Sequence, residues 1–129
     1  MTTADFHDLL RQKTHVFVTT IMGDGSPHTT MTWVDTDGDH ALINIPAATL
    51  KARNLSRDPR VSLAVADPRN PRHYFAARAT VVATTDDHDM THFDHLANKY
   101  LGTSFAALGG AVHERLVLTI RIDSLHEAS

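Results

Sequence analysis

The sequence contains no cysteine among its 129 residues, which excludes disulfide bonds, thiolate metal ligands and a cysteine nucleophile. It also lacks an apolar run approaching the ~18 residues that a membrane-spanning helix requires. Near the N-terminus, Asp5 and Asp8 stand where a signal peptide would be apolar. These absences indicate a reducing compartment, and we expect a single-domain cytoplasmic protein that does not bind membranes.

Several catalytic motifs are absent as well. The sequence has no Gly-x-Gly-x-x-Gly, no Gly-x-x-x-x-Gly-Lys-Ser/Thr, no Gly-x-Ser-x-Gly and no His-Glu-x-x-His. A Rossmann-type nicotinamide site is therefore not expected. A redox enzyme with another cofactor stays compatible with these absences, because the cofactor carries the hydride and the protein supplies orientation and electrostatics.

Positive charge is scarce overall and concentrated in one segment. The net charge is −3 with histidine neutral, so the molecule has no general attraction for nucleic acid, and we expect no such partner. Between Lys51 and Arg78, however, seven basic residues stand against only Asp58 and Asp67. This concentration favours a local anion site, and the alternative is a set of solvated arginines at strand ends.

The periodicity of the apolar residues predicts a mainly β fold. Alternation with period two is typical of strands, and spacings of three and four predict helices. Asp-Gly pairs at Asp24 and Asp37 supply tight turns, which predict an antiparallel meander of the first three strands. The predicted strands cover 14–22, 29–35, 40–45, 60–66, 73–85 and 113–123, and the predicted helices cover 3–13, 49–57 and 86–101. These elements, without strand–helix–strand alternation, favour an antiparallel β-barrel with peripheral helices.

The start of the second predicted helix has the composition of a phosphate site. Unpaired N–H groups and a partial positive charge at a helix N-terminus attract anions. Thr49 would add a hydroxyl, and Lys51 and Arg53 would add two cations. The alternative is an ordinary capped helix whose basic residues are solvated.

Three motifs carry a resemblance to a known family. They are Gly-Asp-Gly-Ser-Pro-His at 23–28, Thr-Met-Thr-Trp-Val-Asp at 30–35 and Lys-Ala-Arg-Asn-Leu-Ser-Arg-Asp-Pro-Arg-Val at 51–61. The sequence resembles the pyridoxamine-phosphate-oxidase-like split β-barrel proteins, and within them the branch that depends on the deazaflavin coenzyme F420. The resemblance extends from about residue 15 to residue 122.

The resemblance implies a six-stranded antiparallel split β-barrel of the FMN-binding type. It implies one domain over 1–129 with an N-terminal helix, 1–13, packed on the barrel, and a homodimer with the cofactor site at the subunit interface. By position, the residues that would line the ring are Thr30, Met31, Thr32 and Trp33. Those that would hold the phosphate end are Thr49, Lys51, Arg53 and Asn54, with Arg57 as a further contact.

Some of these residues admit a structural role instead. Trp33 could be a core or dimer-interface aromatic residue, and Asn54 could cap backbone groups within its helix. Arg57 could pair internally with Asp58 or another acid. The strand from Thr29 to Val34 lacks the basic phosphate ligands of the flavin enzymes, which favours F420 over FMN.

The resemblance implies an oxidoreductase in which reduced coenzyme F420 gives hydride to a small unsaturated substrate, such as an enone, quinone, tetrapyrrole or heteroaromatic. His28, beside the second strand, is a candidate for stabilising the negative charge that develops on the substrate. One alternative is an FMN-binding oxidase or reductase on the same fold. Another is a non-catalytic protein that binds a deazaflavin or a tetrapyrrole.

Histidine is unusually frequent, with ten residues. In a helix, His88, His92 and His95 would share one side at i, i+4 and i+7. Lys99 would share that side, and no cysteine or nearby glutamate completes a ligand set. We therefore expect no metal site.

Overall fold

The computed structural model describes residues 2–104 and 114–129. Within these residues the helices are α1 (Thr2–Arg11), α2 (Leu50–Arg57) and α3 (Thr91–Leu101). The strands are β1 (His15–Ile21), β2 (Pro27–Trp33), β3 (Asp35–Thr36), β4 (Ala41–Pro46), β5 (Arg60–Asp67), β6 (Asn70–Asp86) and β7 (Arg115–Ala128).

The strands form one antiparallel sheet that is curled into a split barrel. Its order is β2-β1-β5-β6-β7-β4-β3, so β2 and β3 are its two edges. Only Val34 separates these edge strands in sequence, and therefore the sheet must curl until its edges meet at this residue. The expectation of a mainly β split barrel is confirmed. The described strands number seven rather than six because the two-residue β3 also pairs with β4.

The predicted meander of three strands is wrong in its third member. β1 and β2 form the expected hairpin, whose turn contains Gly25 with a φ of +88°. β4, however, pairs with β7 and β3 instead of β2. After β2 the chain crosses the seam and joins the opposite edge, so the prediction of a strand at 40–45 was correct while its predicted partner was not.

Other boundaries also differ from the predictions. β6 begins at Asn70 and continues through Asp86, so that α3 starts at Thr91 rather than Asp86. The last predicted strand began at His113, which lies outside the described residues, and the observed strand continues to Ala128. The second helix has the expected bounds, with Thr49 as its N-cap and Asp58 as its C-cap.

The core fills the inside of the curled sheet. Alternate residues of β1 and β5, such as Val16 and Leu63, are fully buried there. The helix α1 adds Phe6 and Leu10 to the same cluster, and the Phe6 ring lies edge-on to Phe75 with 5.5 Å between centroids. Burying one such side chain stabilises the fold by about 1.5–3 kcal/mol, so α1 is an integral part of the barrel.

His7 connects α1 to β3 through Thr36. Thr36 Oγ1 uses its single hydrogen to donate to the His40 carbonyl oxygen, and it also accepts from the Gly38 N–H. The 2.8 Å contact between His7 Nδ1 and Thr36 Oγ1 must therefore be an N–H donated by the histidine. Burial, followed by the nearby Arg11, lowers the pKa of His7 below its usual value.

The lowered pKa of His7 predicts a loss of stability in mild acid. Because the pKa of His7 is lower in the folded state, the unfolded chain binds more protons below pH 6.5, and the free energy of unfolding falls as pH falls. We expect urea denaturation at pH 7.5 and 5.5 to show a smaller pH dependence for His7→Gln, which keeps an N–H donor, than for the parent protein. Equal pH dependences would contradict this role of His7.

Candidate functional site

A cleft of about 340 Å³ lies at the seam of the barrel. β2 forms one wall, β4 and β7 contribute the other, and α3 covers one end. The lining residues are His15, Met31, Thr32, Trp33, Asn44, Phe93, Leu96 and Arg115. The split in the sheet thus produces a recess that combines four apolar or aromatic side chains with four polar ones, one of them the cation Arg115. Small-molecule sites likewise combine apolar walls with a few polar groups.

Trp33 has a structural contact as well as a place in the cleft. Its ring stacks on Tyr100 at 5.0 Å with an interplanar angle of 5°, and it lies 6.0 Å from the Phe93 ring at 18°. The side chain is half-buried against α3 while the rest of it faces the cleft. Both roles considered for this residue are therefore compatible with the geometry.

Lys51 is a buried cation without a counter-ion. It lies in the first turn of α2 and is 9% exposed, and the described residues give it neither a hydrogen bond nor an ion pair. Burial lowers its pKa, and the positive charge of Arg115 lowers it further. Because an unpaired buried charge is costly, an anionic group placed beside this ammonium would offset that cost.

The other residues of the predicted phosphate site have different surroundings. The Thr49 hydroxyl donates to the Pro46 carbonyl oxygen at 2.9 Å and accepts the Ala52 N–H at 3.2 Å, as an N-cap does. Arg53 is exposed on the helix surface. Neither side chain is drawn into the cleft by a contact within the described residues.

Asn54 and Arg57 are used within the protein. Asn54, which is 1% exposed, donates from Nδ2 to Thr20 Oγ1 at 3.0 Å and accepts from Arg57 Nη2 at 3.2 Å. Arg57 also donates to the Ile21 carbonyl oxygen at 2.9 Å. These bonds fasten the end of α2 to β1, so they are the structural alternative to ligand binding for both residues.

The sequence alternative of an ion pair between Arg57 and Asp58 is not found within the described residues. Asp58 pairs with Arg60 instead. Arg60 Nη2 lies 2.8 Å from Asp58 Oδ2, and hydrogen bonds from Arg60 lower the pKa of Asp58 to about 2. Asp67 and Arg69 form a similar pair at 3.2 Å two residues apart. Part of the positive charge between Lys51 and Arg78 is therefore neutralised by carboxylates two residues away in the sequence, whereas the charge of Lys51 has no such partner among the described residues.

Replacing Asn54 tests its structural role. We expect Asn54→Ala to lower the free energy of unfolding by about 1–3 kcal/mol, because it leaves a buried hydroxyl and a guanidinium without their partner. The measurement is urea denaturation of the ligand-free protein, with Ser56→Ala on the exposed side of the same helix as the control. A variant as stable as this control would favour a role in ligand binding alone.

Two predicted residues of β2 lie away from the cleft. His28 stands five positions before Trp33, roughly 16 Å along an extended strand, and it is not among the residues that line the cleft. Thr30 faces the inside of the barrel opposite Val18. Its hydroxyl is buried without a hydrogen-bond partner among the described residues, and it is thus a polar group available to a ligand or a water molecule.

Arg115 and Asn44 were missed by the sequence analysis. Arg115 opens β7, and no motif in the sequence marks it as a site residue. Asn44 is the one polar residue in the strand Ala41–Ile45, and it is only 4% exposed. A lone amide at a buried strand position was the available signal, because such a group requires partners.

The histidines of the third helix do not form a cluster. His88 lies before the first residue of α3, His92 contacts Asn44, and His95 pairs with Asp35 at 2.9 Å. Across residues 2–104 and 114–129, no group of three or more metal-ligating side chains converges.

Comparison with known proteins places this geometry in a family. The family model described as pyridoxamine 5'-phosphate oxidase matches residues 2–128. The chain belongs to this family. No curated protein matches it. In the part that the structure describes, no helix has the length and apolar character needed to cross a membrane.

Solved structures share the fold. An F420 reductase is 23% identical, with a TM-score of 0.79 over 93% of this chain and 94% of that one. A conserved hypothetical protein from Mycobacterium tuberculosis is 21% identical, with a TM-score of 0.75 over 100% of this chain and 85% of that one. HutZ, a heme storage protein from Vibrio cholerae, is 13% identical, with a TM-score of 0.67 over 96% of this chain and 92% of that one. Identities this low establish the common fold alone.

Proposed function

We propose that the protein is an oxidoreductase that uses reduced coenzyme F420 to reduce a small unsaturated organic substrate. The observation that carries the proposal is Lys51, a buried cation that has no counter-ion among the described residues and is acted on by the charge of Arg115 in the cleft wall. Such a pair of features suits a cofactor with a planar ring and a phosphate. The similarity to an F420 reductase supports the deazaflavin, and the lack of lysine and arginine in β2 disfavours FMN.

The residues present fit such a cofactor. Met31, Thr32 and Trp33 would lie against the ring, and Lys51 would bind the phosphate end. The bound deazaflavin supplies a hydride donor. Phe93 and Leu96 of α3 would exclude water from one end of the cleft, which strengthens the electrostatic interactions inside it.

A fluorescence titration tests the proposed cofactor. Trp33 is the only tryptophan and lines the cleft, so a ligand that enters there should quench its emission. We expect coenzyme F420 to quench at lower concentration than FMN does, at matched salt. Tighter binding of FMN would transfer the assignment to the FMN-dependent oxidases and reductases, and binding of neither would overturn the proposal.

The second candidate function is storage or transport of a tetrapyrrole without turnover. The fold similarity to a heme storage protein favours it. Heme titration followed by absorbance separates the candidates. Tight heme binding in a protein that binds neither F420 nor FMN would support this function.

We further propose that a second copy of the chain covers the outer face of the sheet. Strand register aligns Met31, Phe17, Ala64 and Ala76 across β2, β1, β5 and β6. Phe17 is 50% exposed and Met31 is 56% exposed, beside the two alanines. This flat apolar row suits a homodimer, and Met31 also lines the cleft, so the partner would lie next to the cofactor site. Sedimentation should show dimers for the parent protein and monomers for Phe17→Glu, and a monomeric parent protein would overturn the proposal.

A further inference from the structure

Arg115 is held rigidly in the wall of the cleft. Its Nε donates to Asn44 Oδ1 at 2.5 Å, and its Nη2 donates to the Asn44 carbonyl oxygen at 3.3 Å. The guanidinium carbon lies 4.0 Å from the centre of the Phe93 ring. No carboxylate of the described residues forms an ion pair with Arg115, and the nearby Asp87 favours its charged form. Its charge is therefore fixed in place while its remaining N–H donors stay available.

The orientation of Asn44 depends in turn on two further residues. Because Oδ1 accepts from Arg115, Nδ2 must be the atom that contacts Asp87 Oδ2 and His92 Nδ1, both at 3.0 Å. Nδ2 has two hydrogens and donates one to each partner. His92 Nδ1 is thus an acceptor, and the imidazole is neutral with its hydrogen on Nε2.

We propose that Arg115 binds the same anionic group of the ligand as Lys51 does, and that Asn44, Asp87 and His92 are positioning residues that hold the guanidinium for it. The inference rests on the proposed function for the identity of the ligand, whose phosphate is the expected anion. Arg115 pairs with Pro46 in the strand register, and the Pro46 carbonyl oxygen accepts from Thr49, the N-cap of the helix whose first turn contains Lys51. The two cations therefore start from neighbouring backbone, and the charge of Arg115 acts on Lys51. An oxyanion bound between them removes their mutual repulsion and satisfies both.

The hydrogen bonds that join Asn44 to Asp87 and His92 make anion binding at Arg115 sensitive to the protonation of His92. Protonation would put a hydrogen on Nδ1, which faces the Asn44 amide N–H, and would break that bond. Burial and the neighbouring His95 oppose the charged form of His92, while Asp87 and Asp35 favour it, and the net effect lowers its pKa below 6.5. The hydrogen bond between Asn44 and His92 should therefore be intact at neutral pH and broken in mild acid.

Trp33 fluorescence tests the anion role of Arg115 through the binding of two ligands, coenzyme F420 and its ribityl-deazaflavin core, which lacks the phosphate. We expect Arg115→Met to weaken binding of the coenzyme by roughly 10- to 150-fold, the range for a charged hydrogen bond. Binding of the core should stay within about threefold. Equal losses for both ligands, or no loss for the coenzyme, would overturn the proposal.

The pH dependence of coenzyme binding tests His92 as a positioning residue. His92→Gln supplies an acceptor oxygen that does not titrate in this range, so we expect parental affinity at pH 7.5 and a weaker decline towards pH 5.5. His92→Leu supplies no acceptor and should bind the coenzyme weakly at both pH values. Identical pH profiles for the parent protein and His92→Gln would contradict the role of His92 in positioning Arg115 through Asn44.

Inorganic phosphate separates failure of this inference from failure of the proposed function. Phosphate should raise the melting temperature of the parent protein relative to chloride at equal ionic strength, and it should raise that of Arg115→Met less. If no deazaflavin binds but this difference is found, the anion site stands and the proposed cofactor is wrong. If the two proteins respond equally to phosphate, Arg115 is not part of the site.

Discussion

Lys51→Met should make the ligand-free protein more stable and should weaken binding of coenzyme F420 by about 1.5–3 kcal/mol, the range for a charge-assisted hydrogen bond. The two effects have opposite signs because they have different causes. In the absence of ligand, Lys51 is 9% exposed, its ammonium group has no partner within the described residues, and Arg115 repels it. A methionine of similar length removes this cost and fills the same space.

With the ligand present, the same charge becomes favourable. The phosphate would replace the water that the ammonium group has lost, and methionine cannot offer this interaction. Denaturation in urea and the fluorescence titration measure the two effects separately. Lys13→Met, an exposed lysine on the chain after α1, is the matched control, and it should change neither quantity by more than about 0.5 kcal/mol.

A variant that loses both stability and affinity would indicate that Lys51 has a structural role through its hydrocarbon stem. A variant that gains stability and keeps its affinity would show that the buried charge serves another purpose. Only the combination of higher stability and lower affinity supports a ligand site at this position.

Local features of the fold were predictable from the sequence, whereas the seam was not. The Asp-Gly turn between β1 and β2 and the cap at Thr49 depend on residues close together in the chain, so their chemistry is visible in the sequence. The partner of β4 depends on where the whole sheet closes. That closure is set by the curl of seven strands around one core, which no short window of sequence contains.

The candidate site divides in the same way. Lys51 belongs to a continuous motif and could be identified from it, and so could the wall formed by Met31, Thr32 and Trp33. Arg115 is distant in sequence and reaches the site only because β7 pairs with β4. Its neighbour Asn44 gave a weak signal as a lone amide in an apolar strand, but its partners became evident only from the hydrogen bonds.

Tyr100→Phe should lower the free energy of unfolding by about 2–6 kcal/mol, because it leaves two buried backbone groups unpaired at roughly 1–3 kcal/mol each. The Tyr100 hydroxyl donates to the Thr14 carbonyl oxygen and accepts the Val34 N–H at 3.0 Å. Thr14 is 2% exposed and Val34 is fully buried, so water cannot replace the missing hydroxyl without opening the structure. Burial also raises the pKa of Tyr100, which keeps the hydroxyl protonated as a donor.

The position of Val34 makes this effect large, since it is the single residue between the two edges of the sheet. Lys99 donates to the Val34 carbonyl oxygen at 2.6 Å, so α3 binds both backbone polar groups at the seam. The chain offers a matched control in Tyr74→Phe, the only other tyrosine, which is 41% exposed and should change stability by less than about 0.5 kcal/mol. Because phenylalanine keeps the ring that stacks on Trp33, coenzyme affinity at temperatures where the variant is folded should fall far less than in Lys51→Met. Equal stabilities of the two tyrosine variants in urea would show that the hydroxyl does not hold the seam, and closure would then depend on ring stacking alone.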